Sequence, residues 1–165
     1  IHERVPSGPN IHETAPTLFQ PLEELVCRNG IDIDNAQRSI GTLGGGNHFI
    51  SIEKGESGIY LIIHSGSRDF GNKMAIYFQK LAIETNCYED GELKQLSFLT
   101  DKNAEEYLKC AKVCKEYSQW NRHIITQEIL SNMNWKAEDN FETISDIFLA
   151  LIVIEPCEVT IAEVL

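Results

Sequence analysis

The sequence contains no hydrophobic run that is long enough to cross a lipid bilayer. Its longest apolar run covers residues 147–154, whereas a membrane-spanning helix needs about 20 apolar residues, so this run indicates a buried strand or helix segment. A basic start followed by an apolar core is also missing, and we expect no signal peptide. The first residue is Ile1 instead of Met, which indicates that upstream sequence is missing. Together these features predict a cytoplasmic protein with no membrane partner.

Basic residues are scarce. The 165 residues include 14 Lys and Arg against 25 Asp and Glu, which gives a net charge of −11. Proteins that bind nucleic acids without sequence preference neutralise many phosphates with Lys and Arg, so this balance argues against broad, nonspecific nucleic-acid binding. A local basic pocket remains compatible with the sequence, because the acidic surplus lies mostly outside residues 38–80.

The sequence has no CxxC pair, and its five cysteines are odd in number and irregularly spaced. This usage fits reduced thiols in a cytosolic protein better than it fits a disulfide framework. Cys110 and Cys114 are four residues apart in a predicted helix, where they either pack as small hydrophobic residues or form a metal-binding pair. The packing alternative is favoured.

The length fits a single domain over residues 1–165, and the predicted mixture of strands and helices indicates an α+β fold. The apolar fraction of 42% and the charged fraction of 24% are typical of globular proteins. We expect an irregular arm over residues 1–30, a hairpin and loop over residues 41–72 and a long helix over residues 100–132. Shorter helices are predicted at residues 21–28, 34–40 and 72–82, and a loop or short hairpin at residues 87–99.

Two strand-like segments form the predicted hairpin. Residues 41–48 (GTLGGGNH) contain four glycines and lead into the first segment, residues 49–53. A polar turn with glycines, residues 54–58, separates it from residues 59–63, which are apolar enough to be buried on both faces.

The hairpin makes a geometric prediction about two histidines. If Glu53 pairs with Ile59 across the turn, His48 lies directly opposite His64. Directly opposed residues share a face of the sheet, with Cβ atoms about 4.5–5.5 Å apart. Two imidazoles at that separation can bind one metal ion or two adjacent ones. A slip of one residue in the register would move one histidine to the other face.

The residues around the histidines fit an anionic ligand. The glycines before Asn47 free the backbone to turn its N–H groups towards an anion. Ser65 and Ser67 add hydroxyls, Arg68 adds a planar guanidinium that matches a phosphate, and a helix N-terminus follows. Each feature alone is more often structural, but their combination with two histidines predicts a metal and phosphate site, and hence phosphoryl chemistry.

Asn121 lies on the apolar stripe of the long helix, close to Tyr117 and Ile125 in the helical repeat. A buried polar residue needs hydrogen-bond partners, so Asn121 is either a satisfied core residue or a contact for a bound nucleotide or phosphate. His2 and His12 lie in the irregular arm, and we expect neither to bind a metal.

Residues 41–49 (GTLGGGNHF) and 64–68 (HSGSR) resemble two signature motifs of the RtcB-type RNA-splicing ligases, in the same order and at the same spacing. Asn121 and Arg122 resemble a third, weaker feature of that family. The two main motifs are long and specific. The resemblance covers residues 1–145, and it implies an RtcB-like mixed fold with a sheet core and flanking helices, incomplete in this chain.

The resemblance implies a cytoplasmic RNA ligase that uses GTP and Mn²⁺ in a two-metal site and acts through a guanylylated histidine. Its partners would be tRNA halves or broken RNA ends: a 2′,3′-cyclic phosphate or 3′-phosphate end is joined to a 5′-hydroxyl end. By motif match, the metal ligands would be His48 and His64, although zinc would also suit two histidines. The cofactor-binding residues would be Asn47, Ser65, Ser67, Arg68 and Asn121.

The resemblance also implies that the chain carries only part of an active site. The family's Asp–Cys metal motif, its further metal-binding histidine and its guanylylated histidine have no counterpart here, so we assign no catalytic residue and expect the chain alone to be inactive. Asp69 departs from the family pattern and adds a negative charge beside Arg68. The alternatives are a non-catalytic remnant that binds a nucleotide or a protein partner, and a metal-dependent phosphoesterase. The oligomeric state and the RNA substrate stay open.

Overall fold

The computed structural model describes residues 4–56, 58–86, 91, 93–133, 136–145 and 149–155. These residues form a mixture of helices and antiparallel strands, which confirms the α+β class. The elements follow in the order α1 (Ile33–Arg38), β1 (Phe49–Lys54), β2 (Ile59–His64), α2 (Arg68–Asn86), α3 (Asp101–Met133), β3 (Lys136–Ser145) and β4 (Leu149–Glu155). Short 3₁₀ helices cover Gln20–Glu24, Arg28–Gly30 and Leu93–Leu96.

The described residues divide into two compact units. One unit, here called the sheet unit, takes its residues from 1–10, 41–66 and 119–165, and the other, the helical unit, from 11–40 and 67–118. The first part of α3 therefore belongs to the helical unit and its last part to the sheet unit. The division does not test the single-domain expectation, which stays a prediction.

The sheet unit contains four antiparallel strands in the order β1-β2-β4-β3. Residues from Leu149 onwards in the apolar run lie in β4, which pairs with every residue of β2. Residues 147–148 of that run lie outside the described residues. The hairpin of β1 and β2 is thus extended by a strand from a distant part of the sequence.

The register of the hairpin differs from the predicted one by one residue. Lys54 pairs with Ile59, and Phe49 pairs with His64, so the predicted pairing of Glu53 with Ile59 is wrong. The reason lies in the turn, where the N–H of Gly55 donates to the carbonyl of Gly58 at 2.9 Å. This bond closes a tighter connection than expected and extends β1 by one residue.

The core of the sheet unit lies between β2 and α3. Leu61 and Ile63 are completely buried and cluster with Ile125, Ile129 and Val5. Burying one such side chain stabilises the fold by about 1.5–3 kcal/mol relative to leaving it in water. The expectation that β2 is buried on both faces is wrong, because the residues that alternate with Leu61 and Ile63 are only half-buried. His64 lies on this second face.

Part of the predicted arm is fixed to the glycine-rich segment. The N–H of Leu43 donates to the carbonyl of Pro6, and the N–H of Gly8 donates to the carbonyl of Gly44, both at 2.9 Å. These bonds align the arm with the segment that leads to His48. Burial of Val5 explains why this part of the arm is held in place.

The helical unit buries one stripe of α2 and the first part of α3. Phe70, Met74 and Phe78 recur every fourth residue on α2 and are buried, as this spacing requires of a helix face. The Tyr117 hydroxyl donates to the carbonyl of Ala36 at 2.6 Å, which joins α3 to α1. Among the helices of the described residues, none is both long and apolar enough to span a membrane.

The shorter predicted helices are only partly correct. Residues 34–40 correspond to α1, whose start is capped by the Asp32 carboxylate, which accepts from the N–H of Asn35 at 2.9 Å. The predicted helix at residues 21–28 is wrong, because Leu25 is extended and separates two 3₁₀ helices. The long helix is confirmed, and it begins and ends one residue later than predicted. Within residues 87–99, positions 87–90 and 92 lie outside the described residues.

Candidate metal and phosphate site

The imidazole rings of His48 and His64 are neighbours. Their centroids lie 5.6 Å apart with an angle of 56° between the ring planes. Both residues are half-buried, and the Nδ1 atom of His48 is shielded from solvent. Two imidazoles this close can present nitrogen atoms to one cation or to two adjacent ones.

The rings meet although the two histidines are not paired in the sheet. His48 precedes β1, which begins at Phe49, so the alternation of strand residues does not apply to it. Phe49 takes the position opposite His64, and the two rings stack with centroids 5.5 Å apart and planes 15° apart. Phe49 was not predicted as a site residue, although it follows His48 directly in the motif GTLGGGNHF.

The glycine-rich segment brings His48 back towards β2 through backbone conformations that favour glycine. Gly44 has a φ of 90° and Gly46 a φ of 73°, values that cost a residue with a Cβ atom about 1–2 kcal/mol. The segment ends in Asn47, which is exposed, and His48. Asn47 is thus accessible for the phosphate contact that the sequence predicts, and that role stays a prediction.

Asn121 connects the two segments that carry the histidines. Its side-chain oxygen accepts from the N–H of Gly41 at 2.7 Å and of Thr42 at 3.1 Å. Its amide nitrogen lies within hydrogen-bonding distance of the Thr42 carbonyl (3.2 Å), the Ser65 hydroxyl (2.9 Å) and the Gly66 carbonyl (3.2 Å). Asn121 is completely buried, so its contacts are those of a satisfied core residue.

Ser65 adds further hydrogen bonds to the network that Asn121 forms with residues 41, 42, 65 and 66. Its hydroxyl donates to the carbonyl of Leu43 at 2.8 Å, and the residue is completely buried. The Arg122 guanidinium donates to the carbonyl of Ser65 at 3.0 Å. Burial lowers the pKa of Arg122. The sequence assigned Ser65 and Asn121 to a cofactor, and in the structure their side chains bind the protein itself; the cofactor role of both stays a prediction.

Ser67 and Arg68 lie at the start of α2, in the helical unit. Arg68 has a φ of 58°, a left-handed conformation that is uncommon for a residue with a side chain and is found at functional sites when the surroundings enforce it. Gly71 approaches Ser67 closely in the same turn: a Cβ atom on Gly71 would overlap the Ser67 hydroxyl and lie 2.9 Å from the Ser67 Cβ.

The surroundings of Arg68 change its pKa. Burial lowers the pKa of Arg68, and the neighbouring Tyr117 and Asp69 raise it. Asp69 is the residue that adds a negative charge beside the predicted phosphate site. Its carboxylate forms an ion pair with Lys73 at 2.7 Å, one helical turn later, which offsets part of its negative charge.

The donor set for a metal ion is incomplete in the described part of the chain. Two imidazole donors are adjacent, and no group of three or more His, Cys, Asp or Glu side chains among the described residues could hold a metal ion. The same finding argues against a metal site at Cys110 and Cys114, which are buried thiols outside any disulfide. The described residues thus supply two of the ligands that a metal ion needs.

The family model described as "tRNA-splicing ligase RtcB" matches residues 25–149, which is more than half of the chain and includes both histidines. The chain belongs to the RtcB family. This finding confirms the resemblance of residues 41–49 and 64–68 to RtcB motifs.

Curated RtcB proteins are similar to the chain at modest identity. The RNA-splicing ligase RtcB of Escherichia coli K12 is 30% identical over 102 residues, which cover 59% of this chain and 25% of the relative. The tRNA-splicing ligases RtcB of Pyrobaculum aerophilum and Nanoarchaeum equitans are 31% identical over 121 residues and 28% identical over 123 residues. These matches cover 60% and 64% of this chain, and 23% and 26% of the relatives.

The chain spans about a quarter of the length of the RtcB relatives it matches. No solved structure matches it, so the RtcB-like architecture beyond the α+β class stays a prediction. Within the described residues, the sheet unit contains Asn47, His48, His64, Ser65 and Asn121, and the helical unit contains Ser67 and Arg68.

Proposed function

We propose that the chain is part of a GTP- and Mn²⁺-dependent RNA ligase of the cytoplasm. The reaction would join an RNA end with a 2′,3′-cyclic phosphate or 3′-phosphate to a 5′-hydroxyl end, in RNA repair or tRNA splicing. Membership of the RtcB family supports this proposal, as do the printed names of the relatives, which are RNA- and tRNA-splicing ligases. Because the chain covers about a quarter of those relatives, the complete reaction belongs to a longer protein.

The observation that carries the proposal is the 5.6 Å separation of the His48 and His64 rings. In this proposal the two imidazoles hold Mn²⁺, and further ligands come from outside the described residues. The bound cation would neutralise phosphate charge and orient the RNA ends. His64 is held against Phe49 by ring stacking, which limits the rotation of its ring.

Arg68 supplies the phosphate contact in this proposal. A guanidinium forms two parallel hydrogen bonds with a phosphate, and its charge is independent of pH in the physiological range. Partial burial strengthens such a pair, because a less polar environment screens the charges less than water does. Asn47 is exposed at the end of the glycine-rich segment and would donate its side-chain amide to a phosphate oxygen.

Two alternatives predict different products. A non-catalytic family member would bind a nucleotide or a protein partner without chemistry, and the observation in its favour is the Asp69 carboxylate next to Arg68. A metal-dependent phosphoesterase would open the cyclic phosphate without joining the ends, and the pair of histidines would serve it equally well.

A joining assay with the full-length protein distinguishes these functions. Two short RNAs, one ending in a 2′,3′-cyclic phosphate and one starting with a 5′-hydroxyl, are incubated with GTP and Mn²⁺, and the products are separated by length. We expect a joined product that depends on both cofactors and that is lost in His48→Ala and in His64→Ala. His12→Ala removes an imidazole that the sequence assigns to no site and should retain joining.

The other products contradict the proposal. An opened phosphate without a joined strand would indicate the phosphoesterase. Unchanged RNA together with GTP binding would indicate the non-catalytic alternative. Joining that is undiminished in both histidine variants would mean that His48 and His64 hold no essential cation.

A further inference from the structure

The hydrogen bonds of Asn121 join three separate parts of the sheet unit. Asn121 belongs to α3, and Gly41 and Thr42 begin the glycine-rich segment that leads to His48. Gly66 lies two residues after His64, the last residue of β2. All these bonds converge on one side-chain amide, at distances of 2.7–3.2 Å. Both histidine-bearing segments are therefore attached to the same point.

The residues that form these hydrogen bonds are buried, so the loss of any one bond destabilises the fold. Thr42, Ser65 and Asn121 are completely buried, and Arg122 is 1% exposed. Removing one partner of a buried hydrogen bond leaves the other unsatisfied, because water cannot replace the lost group. The Ser65 hydroxyl adds a direct link between the two segments through its 2.8 Å bond to the Leu43 carbonyl, and Arg122 holds the Ser65 carbonyl.

We propose that Asn121 is a positioning residue for the histidine pair. Its amide fixes the glycine-rich segment and the segment after β2 to α3, and thereby sets the approach of the His48 and His64 rings. This role goes beyond a packing role, because sheet pairing does not hold His48: it precedes β1, and its position depends on the conformation of residues 41–47. The inference deepens the proposed function and rests on it only for the identity of the bound cation.

The chemistry of an amide explains why asparagine is needed at this position. The side-chain oxygen accepts from two N–H groups, and the two N–H donors of the amide nitrogen are shared among two carbonyls and a hydroxyl, so the site needs a group that both accepts and donates, as an amide does. An aspartate of the same shape would still accept from Gly41 and Thr42 but would direct a carboxylate oxygen at the carbonyls of Thr42 and Gly66. Asn121→Asp is therefore a substitution of nearly equal volume that breaks the connection to the segment after β2.

Nuclear magnetic resonance of the full chain, labelled at histidine, tests the inference without a metal ion. The readout is the nuclear Overhauser effect between the ring protons of His48 and His64, measured beside the melting temperature. In the unsubstituted chain we expect this effect to be present. In Asn121→Asp and Asn121→Ala we expect it to be lost while the chain remains folded.

Gln37→Ala is the matched control. Gln37 is also a buried amide, and it also joins distant residues: it accepts from the N–H of Phe19 at 2.8 Å and donates to the Phe19 carbonyl at 3.1 Å. It belongs to the helical unit. We expect Gln37→Ala to lower the melting temperature and to retain the ring contact.

Titration with Mn²⁺ provides the second readout. Loss of a supporting residue next to a metal ligand typically lowers metal affinity by about 10–100-fold, and we expect this loss in Asn121→Asp and not in Gln37→Ala. A ring contact in Asn121→Asp equal to that of the unsubstituted chain would overturn the inference, and so would unfolding of both Asn121 variants, which would indicate a general folding role.

The two readouts separate this inference from the proposed function. If the ring contact is present but the unsubstituted chain binds no Mn²⁺, the proposed function fails and the positioning role of Asn121 is still decided by the ring contact. If Mn²⁺ binding requires His48 but is unaffected by Asn121→Asp, the proposed function stands and the positioning role is refuted.

Discussion

The rings of His48 and His64 lie 5.6 Å apart although the sheet pairs His64 with Phe49 and not with His48. The expected register would have placed His48 directly opposite His64 across the hairpin. In the structure the glycine-rich segment and its attachment to Asn121 achieve the same proximity. The geometry of the pair is therefore a property of a loop and its buried hydrogen bonds, and substitutions in that network should affect the pair more than substitutions in the strands.

The backbone conformation of Arg68 costs energy that a glycine at this position would avoid. Its φ of 58° favours glycine, and a residue with a Cβ atom is less stable there by about 1–2 kcal/mol. We predict that Arg68→Gly is more stable than Arg68→Ala by roughly this amount, because both lose the guanidinium and only one keeps the Cβ atom. Urea unfolding of both variants measures the difference.

The same substitutions test the phosphate contact. We predict that Arg68→Gly and Arg68→Ala lose affinity for GTP or RNA to the same extent, since both lack the guanidinium, whereas Arg68→Lys keeps the charge and loses the paired hydrogen bonds. Filter binding with labelled ligand at fixed salt concentration provides the measurement. Unchanged affinity in all three variants would rule out the assigned role of Arg68.

Gly71 is predicted to tolerate no side chain, because a Cβ atom there would overlap Ser67. Overpacking of this kind costs about 1–3 kcal/mol, and the better helix propensity of alanine returns about 1 kcal/mol. We therefore expect Gly71→Ala to lower the free energy of unfolding by up to about 2 kcal/mol, and thermal unfolding of the variant tests this.

Gly30→Ala is the control for this substitution. No heavy atom lies within 4 Å of the position of its added Cβ atom, and at such positions alanine stabilises a protein by about 0.4–1 kcal/mol because it restricts the unfolded chain. Equal melting temperatures for Gly71→Ala and Gly30→Ala would contradict the close approach of Gly71 to Ser67.

The stability of the helical unit should fall in alkaline solution. Burial raises the pKa of the Cys27 and Cys114 thiols from 9.0 to about 12, so the folded chain keeps protons that the unfolded chain loses. A raised pKa in the folded state contributes stability that is fully present below pH 9.0 and is lost as the pH rises towards 12. Burial raises the pKa of Tyr117 as well, and its contribution has the same sign.

Urea unfolding under reducing conditions at several pH values between these limits measures this loss. We predict that the free energy of unfolding decreases across the range, and that it decreases less steeply in Cys27→Ala, which lacks one of the titrating thiols. An identical pH dependence with and without Cys27 would show that its pKa in the folded chain is close to its ordinary value.

The helices and strands that were predicted correctly are those whose burial pattern repeats over neighbouring residues. The apolar stripe of α3 and the two strand-like segments around the turn gave the correct type of structure, because the periodicity of burial is written into neighbouring residues. The pairing of β4 with β2 connects residues that are distant in sequence, and no local pattern encodes which edge of a hairpin a later strand will join.

The candidate site was predicted in its residue types and only partly in its geometry. The hairpin predicted that His48 and His64 are neighbours, but the observed register is different, and the polar composition of the turn does not specify the Gly55–Gly58 bond that closes it. Asn121 was correctly expected to need partners, whereas their identity depends on how α3 lies against the glycine-rich segment, and helical periodicity alone does not specify this.

Isothermal titration of the chain with Mn²⁺ tests the central claim most directly, namely that His48 and His64 serve one cation site. The unsubstituted chain, His48→Ala, His64→Ala and the double variant are compared, with His12→Ala as the control. We predict that each single variant loses more than the roughly 10–100-fold typical of a supporting residue, that the double variant is scarcely worse than either, and that His12→Ala binds normally. Unchanged affinity in His48→Ala or His64→Ala would contradict the account.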